Sequence, residues 1–265
     1  MGNAADAGDA ALLRIETRGA VLTVGLNRPA KRNALNDGII LALRDCFSAI
    51  PEEIGAVVIH GVGDHFSSGL DLSELTERDA TEGLVHSQMW HRVFDRIQYC
   101  RVPVIAALKG AVIGGGLELA CAAHIRVAEP STYFALPEGQ RGIFVGGGGS
   151  VRLPRLIGVA RMMDMMLTGR VYSATEGASY GFVQYVTEAG NGLPKALELA
   201  TKIASNAPLT NFAVLQALPM IAEANPQTGL LMESLMATVA QSDKEAKRRI
   251  REFLEHKTVK VKPKS

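Results

Sequence analysis

The stretch Lys109–His124, KGAVIGGGLELACAAH, restricts the fold more than any other part of the chain. Within it a buried apolar strand gives way to Gly114-Gly115-Gly116 and then to an apolar helix carrying one carboxylate, Glu118. Three consecutive glycines let the backbone turn tightly and let a ligand approach it closely. The helix that starts there directs unpaired N–H groups and the positive end of its dipole outward, which suits an oxyanion. Glu118 stands one turn in, among Leu117, Leu119, Ala120, Ala122 and Ala123, and a desolvated carboxyl titrates above its ordinary range. On this segment alone a tight corner with a first-turn carboxylate accounts for the residues as well as a ligand site does.

The rest of the chain sets that corner in a repeating pattern. Leu12–Thr17 and Val21–Leu26 alternate around Arg18-Gly19-Ala20 as a hairpin, and Asn27-Arg28-Pro29 stops it. Asn33 or Asn36 can cap a helix running to about Ile50, with Ile39, Ile40, Leu43 and Phe47 at helical spacing. The apolar run Ala56–His60 reads as a buried strand, Thr81–Tyr99 as a long helix with Trp90, Val93, Phe94 and Ile97 inward, and Val102–Leu108 as the strand that feeds the glycine corner. Short strands are expected at Ile125–Ala128 and Thr132–Ala135. Strand starts near 21, 56 and 103 recur at roughly 45-residue spacing, a βα winding with parallel strands. From Leu193 the strand pattern ceases, and 193–256 reads as three or four amphipathic helices with prolines at 208, 219 and 226 near their ends. The division is therefore a core at 1–192 and a helical subdomain with a basic tail at 193–265. With 265 residues and 47% hydrophobic content the chain can bury a core of that size.

Charge and residue usage exclude several functions. A net charge of +1, with basic residues clustered only at Lys244–Lys264, gives no field for nucleic acid. Cys46, Cys100 and Cys121 have no CxxC spacing, the six His residues have no ligand spacing, and neither a disulfide framework nor a metal site is expected. The leader lacks a charged and apolar targeting pattern, and no apolar run approaches the roughly 20 residues of a membrane helix, so a cytoplasmic location is expected. Gly149-Ser150-Val151 has no P-loop lysine, and neither glycine run makes a GxGxxG helix opening. Ser67 and Ser68 sit in no nucleophile elbow. What remains is three glycine-bearing turns, 66–72, 114–118 and 137–149, that could converge on one pocket. Two of them carry a glutamate, Glu118 and Glu138, and paired carboxylates in one pocket can be held in different protonation states.

Four motifs in order, LNRPAKRNAL at 26–35, GVGDHFSSGLDL at 61–72, KGAVIGGGLELACAAHIRVA at 109–128 and LPEGQRGIFVGGGGSVRLPRLIG at 136–158, followed by LTGRVYSATEGASYGFVQYV at 167–186, resemble the crotonase superfamily, the enoyl-CoA hydratase/isomerase family, over nearly the full length. The resemblance implies an α/β fold, a crotonase-type spiral of repeated ββα units with a C-terminal α-helical trimerisation region, assembled as a homotrimer or a dimer of trimers. It implies an acyl-CoA substrate, coenzyme A being part of that substrate, and no separate cofactor. Position by position, it makes the amides of Leu70 and Gly115 an oxyanion hole, Glu118 and Glu138 the catalytic pair, and Gly146 the residue whose backbone positions the reacting water. It also brings Arg28, Lys31, Arg32, Ser68, Leu70, Asp71 and Leu72 to coenzyme A. Ser73 and Val145 depart from the family pattern, which often has lysine and proline at those positions.

Enoyl-CoA isomerases of the family typically carry an apolar residue at the 118 position, so two glutamates favour addition of water to a 2-enoyl-CoA. Glu138 is expected to be the water-activating base and Glu118 its partner. An isomerase or a specialised lyase acting on a heteroatom-bearing or aryl enoyl-CoA is the alternative, and a non-catalytic CoA-binding oligomeric scaffold is the rival from outside enzymology. The wall of the acyl pocket is expected from the 73–90 region.

Overall fold

The computed structural model describes residues 11–74 and 77–255; the leader and the tail at 257–265 lie outside them. Two compact units meet in sequence at Ala204 and Ser205.

In the first unit the hairpin is β1 (Leu13–Arg18) and β2 (Val21–Leu26), antiparallel with Leu13 opposite Leu26 and turned on Gly19 at φ +59°. The chain continues through α1 (Asp37–Ser48), β3 (Ala56–Gly61), α2 (Ala80–Gln98), β4 (Val104–Leu108), β5 (Ala111–Ile113), α3 (Gly115–Ala122), β6 (Ile125–Ala128), β7 (Tyr133–Ala135), α4 (Gly149–Ile157), α5 (Val159–Thr168), β8 (Tyr172–Ser173), α6 (Ala174–Ser179), β9 (Tyr185–Val186) and α7 (Gly192–Ala204). One sheet has the order β1-β2-β3-β4-β6-β9, parallel from β2 onward, and a second has the order β5-β7-β8. This is the α/β spiral of strand, turn and helix that the sequence predicts.

A parallel sheet covered on both faces reads as unbroken apolar runs rather than alternation, and β3 shows why. Val57 and Ile59 join Leu22, Val24, Ile39, Leu43, Val93 and Phe94 in the main core, while Ala56 and Val58 face Ile105, Ala196 and Ala200 on the other side. Ala196 and Ala200 belong to α7, so this helix lies with the sheet, one helix beyond the 192 boundary expected from the sequence. Gly55 allows its approach, because a β-carbon there would stand 2.9 Å from Ala204 Cβ.

Helix starts follow local chemistry. Asn36 caps α1 by accepting from Ile39 N–H, and Asp79 with Glu82 forms a reciprocal capping box at α2. The second unit is helical: α8 (Pro208–Phe212), a π-helical turn at Ala213–Ala217, α9 (Leu218–Glu223), α10 (Pro226–Ser242) and α11 (Lys244–Leu254). Pro208, Pro219 and Pro226 each fall in a first turn, where the missing N–H costs nothing. Among the described residues no helix is long and apolar enough to cross a membrane.

Candidate active site

The corner at 109–116 is sharper than its sequence suggests, because the chain changes sheets there. At Gly110 (φ +53°) it leaves the first sheet, and Ala111–Ile113 pairs in parallel with Tyr133–Ala135 in the second. This three-residue strand, whose apolar character the sequence shows but whose change of sheet it does not, delivers Gly114 at φ +52° as the residue before α3. Gly114 N–H donates to Ala135 O at 2.9 Å, which ties the corner to the strand leading into Glu138.

Residues 67–71 are strapped to this corner from both sides. Ser67 N–H donates to Ala111 O and Ile113 N–H donates to Ser67 O, while Leu35 N–H donates to Gly69 O and Asp71 N–H to Leu35 O. Gly69, at φ +87°, lets the strap lie flat on the corner. A β-carbon there would stand 2.6 Å from Ile113 O and 3.3 Å from Gly115 N. Leu70 N is 3.6 Å from where a β-carbon of Gly115 would be, so the two amides are neighbours. Among the described residues neither N–H meets an acceptor, although buried amides as a rule are paired. Both line a cavity of about 530 Å³.

Glu118 and Glu138 line the same cavity and are both buried. Their surroundings differ. Glu118 Oε1 accepts from Gly147 N–H and Gly149 N–H, each at 2.8 Å. Burial pushes its carboxyl above the ordinary range, and the two amides and the Arg152 guanidinium pull against that rise. Glu138 Oε2 is buried with no hydrogen-bond partner among the described residues. Burial pushes its carboxyl up to about 7, with the charge of Glu118 adding to the rise and Arg141 opposing it. Of two coupled carboxyls, the one with fewer donors holds the shared proton, which favours Glu118 ionised and Glu138 protonated.

Glu77, Arg78, Gly83, His86, Ser87 and Trp90 of the 73–90 region line the cavity, and Arg141, Ile143, Phe144 and Val145 line it as well. Gly146 lines it too, and its carbonyl accepts from Ser87 Oγ at 2.7 Å. The grip on Glu118 belongs mainly to Gly147 and Gly149, which sequence reasoning did not single out; nothing local in a run of four glycines tells which amides face a carboxylate. Ser67 is structural: its buried hydroxyl donates to Asn33 O and accepts from Gly69 N–H.

The residues expected at coenzyme A divide. Ser68, Leu70 and Leu72 line the cavity, whereas Arg28, Lys31, Arg32 and Asp71 do not. Asp71 is buried and taken up by its neighbours: Arg28 Nη2 lies 2.9 Å away, Lys31 Nζ 3.0 Å, and Ser73 donates through both Oγ (2.6 Å) and N–H (3.1 Å). Ser73 first, then Lys31 and Arg28, hold its carboxyl well below the usual range. Arg28 is largely enclosed and donates to Ala34 O as well, while the side chains of Lys31 and Arg32 reach solvent. Beneath them Asn33, at φ +55°, accepts from Arg28 N–H and donates to Val62 O and His65 O, pinning the segment to the loop after β3.

Comparison with known proteins agrees along the whole chain. The family model described as enoyl-CoA hydratase/isomerase matches residues 16–264. The chain is 36% identical to the 2,3-dehydroadipyl-CoA hydratase of Escherichia coli (strain K12), across 90% of this chain and 93% of that protein. It is 33% identical to the short-chain-enoyl-CoA hydratase of Clostridium acetobutylicum, across 92% and 95%. A crystal structure from Rhodopseudomonas palustris CGA009, provisionally described as an enoyl-CoA hydratase, superposes with a TM-score of 0.92 at 79% identity, covering 97% of this chain and all of that one.

Proposed function

The chain belongs to the enoyl-CoA hydratase/isomerase family, and from that premise we propose that it is an enoyl-CoA hydratase, adding water reversibly across the 2,3 double bond of a 2-enoyl-CoA thioester. The observation that carries this reading is the pair Glu118 and Glu138 in one cavity with the unpartnered amides of Leu70 and Gly115.

In this reading the thioester oxygen accepts from the Leu70 and Gly115 N–H groups. Amides fixed in place stabilise the enolate oxygen without having to reorganise as charge develops. Ionised Glu118 takes a proton from water as the oxygen attacks C3, and protonated Glu138 delivers its proton to C2. This reverses the roles expected from the sequence. Its support is the two N–H donors on Glu118 against the unpartnered Oε2 of Glu138. Gly146 contributes backbone at the cavity edge where the water would sit. No cofactor enters the chemistry, since the coenzyme A moiety arrives with the substrate.

Lys31 and Arg32 are the cations for the coenzyme A phosphates, with Ser68, Leu70 and Leu72 along the pantetheine, while Arg28 and Asp71 brace that segment from behind. Glu77, Arg78 and His86 in the wall support, as a second reading within the same chemistry, an acyl group bearing a polar substituent. Self-assembly through the helical unit, as a trimer or a dimer of trimers, is supported by α10, which exposes Leu230, Leu231 and Leu235. A cytoplasmic location is supported by Cys46, Cys100 and Cys121, which carry thiols rather than disulfides.

Loss of the conjugated enoyl-thioester absorbance tests the assignment across short, long, branched and aryl 2-enoyl-CoAs. Loss with at least one of them is expected; a folded protein inert to all of them would refute the hydratase.

A further inference from the structure

Arg152 is buried, yet it does not line the cavity and has no hydrogen bond or ion pair with either glutamate among the described residues. Each nitrogen of its guanidinium is engaged: Nη1 donates to Gly147 O at 3.0 Å, Nε to Gln98 Oε1 at 2.5 Å and Nη2 to Asp95 Oδ1 at 2.5 Å. Two of these partners lie on α2 and the third is the glycine whose own N–H donates to Glu118. Gly148 lies between the two amide donors at φ +92°, and a β-carbon there would stand 2.3 Å from Arg152 Nη1. The glycine loop is thus folded over the guanidinium. Gly147 and Gly149 also leave no room on their other side, since their β-carbons would meet Glu118 Oε2 at 3.1 Å and Cγ at 2.7 Å.

We propose that Arg152 is a positioning residue for the reaction: braced against α2 by Asp95 and Gln98, it holds the Gly147 carbonyl so that the Gly147 and Gly149 amides keep their hydrogen bonds to Glu118. It also supplies a positive charge that acts on that carboxylate. The other titratable and charged groups around Glu118 among the described residues include Glu138 with Arg141 on the facing turn, Cys121 further along α3, Arg126, whose guanidinium donates to Ala120 O, and, outside these, Asp95 and His91 on α2. Burial opposes ionisation of Glu118, so what favours it comes from the loop amides and Arg152. A neutral residue at 152 would lose both the brace and the charge.

The inference rests on the hydratase reading for its kinetic consequence, and a readout independent of turnover separates the two. Glutamate labelled with carbon-13 at the side-chain carboxyl allows an NMR titration of the full-length protein, with the Glu118 signal identified by its absence in Glu118→Gln. The midpoint of Glu118 is expected to move to higher pH in Arg152→Gln and to stay near the parent value in Arg152→Lys, which keeps the charge. The acid limb of kcat/KM for enoyl-CoA hydration should move in the same direction in Arg152→Gln. An unchanged midpoint in Arg152→Gln, or equal movement in both variants, would reduce Arg152 to packing and overturn the proposal. If Arg152→Gln does not fold, Asp95→Asn combined with Gln98→Leu releases the guanidinium from α2. The midpoint should rise there too, and its constancy would overturn the proposal. A titration that moves as expected in a protein that hydrates no enoyl-CoA would uphold the positioning role and remove the hydratase.

Discussion

Gly114 and Glu138 compete for one space: a β-carbon on the glycine would stand 2.6 Å from Glu138 Oε1. The corner glycine therefore sets the position of the Glu138 carboxyl. Gly114→Ala should push Glu138 aside and also strain the backbone at φ +52°. General acid–base groups contribute about 10²–10⁴-fold, so a fall in kcat of at least about 10²-fold is expected, with a lowered thermal midpoint. Steady-state kinetics beside a melting curve checks it, and a fully active Gly114→Ala would show that Glu138 needs no such clearance.

Replacing either glutamate by glutamine removes one proton-transfer group while keeping the shape. Glu118→Gln and Glu138→Gln should each lose about 10²–10⁴-fold in kcat, and the double variant far less than the product of the two, because the carboxyls act as a unit. Calorimetric binding of an acyl-CoA should persist in all three. Loss of binding in parallel with kcat would contradict the division of roles.

The pH dependence follows from the separate environments. Glu118 must be ionised and Glu138, with its carboxyl pushed up to about 7, must be protonated. The hydration rate should therefore decline on the alkaline side as pH rises through about 7. Stability carries the same sign. A carboxyl whose folded value is raised binds its proton more tightly in the folded state, so its contribution is lost as pH rises from the ordinary glutamate range through about 7. Glu138→Gln does not titrate, and its melting temperature relative to the parent should climb across that window, by roughly 2–4 °C per kcal/mol recovered. Melting curves at pH 5 and pH 8 with an unchanged difference would contradict this.

Arg28, Lys31 and Arg32 look equivalent in the motif LNRPAKRNAL but differ in the fold. Lys31→Ala and Arg32→Ala should raise KM for enoyl-CoA with kcat retained, the mark of lost uniform binding. Arg28→Ala leaves Asp71 with one fewer cation and removes a donor to Ala34 O, so it should chiefly lower the melting temperature. A reversed pattern would return Arg28 to the substrate.

How much of this was legible beforehand depended on the range of each interaction. The hairpin, α1, α2 and the apolar run of β3 announce themselves through periodicity. The choice between Asn33 and Asn36 as the cap of α1 does not, because it turns on the left-handed backbone of Asn33 and its bonds to Val62 and His65. Ala111–Ile113 reads as an apolar strand, but three residues between two glycines do not show that it shifts the chain to the second sheet, where it pairs with the strand leading into Glu138. The bonds from Gly147 and Gly149 to Glu118 and from Arg152 to α2 join residues far apart in sequence. Gly115 shows the same limit. As a junction it looks open to alanine, but a β-carbon there would meet the Trp90 ring at 2.8 Å, so Gly115→Ala should cost stability as well as rate.

The central claim is that Glu118 and Glu138 pass water across the 2,3 double bond, oxygen to C3 and proton to C2. Incubating a 2-enoyl-CoA that the protein consumes in water enriched in oxygen-18 and deuterium, followed by mass spectrometry of the acyl product, reads both halves at once. The expected product carries one oxygen-18 at C3 and one deuterium at C2, and neither label appears at those positions with Glu118→Gln or Glu138→Gln. Deuterium incorporated without oxygen, together with a shifted double bond, would contradict the account and make the protein an isomerase.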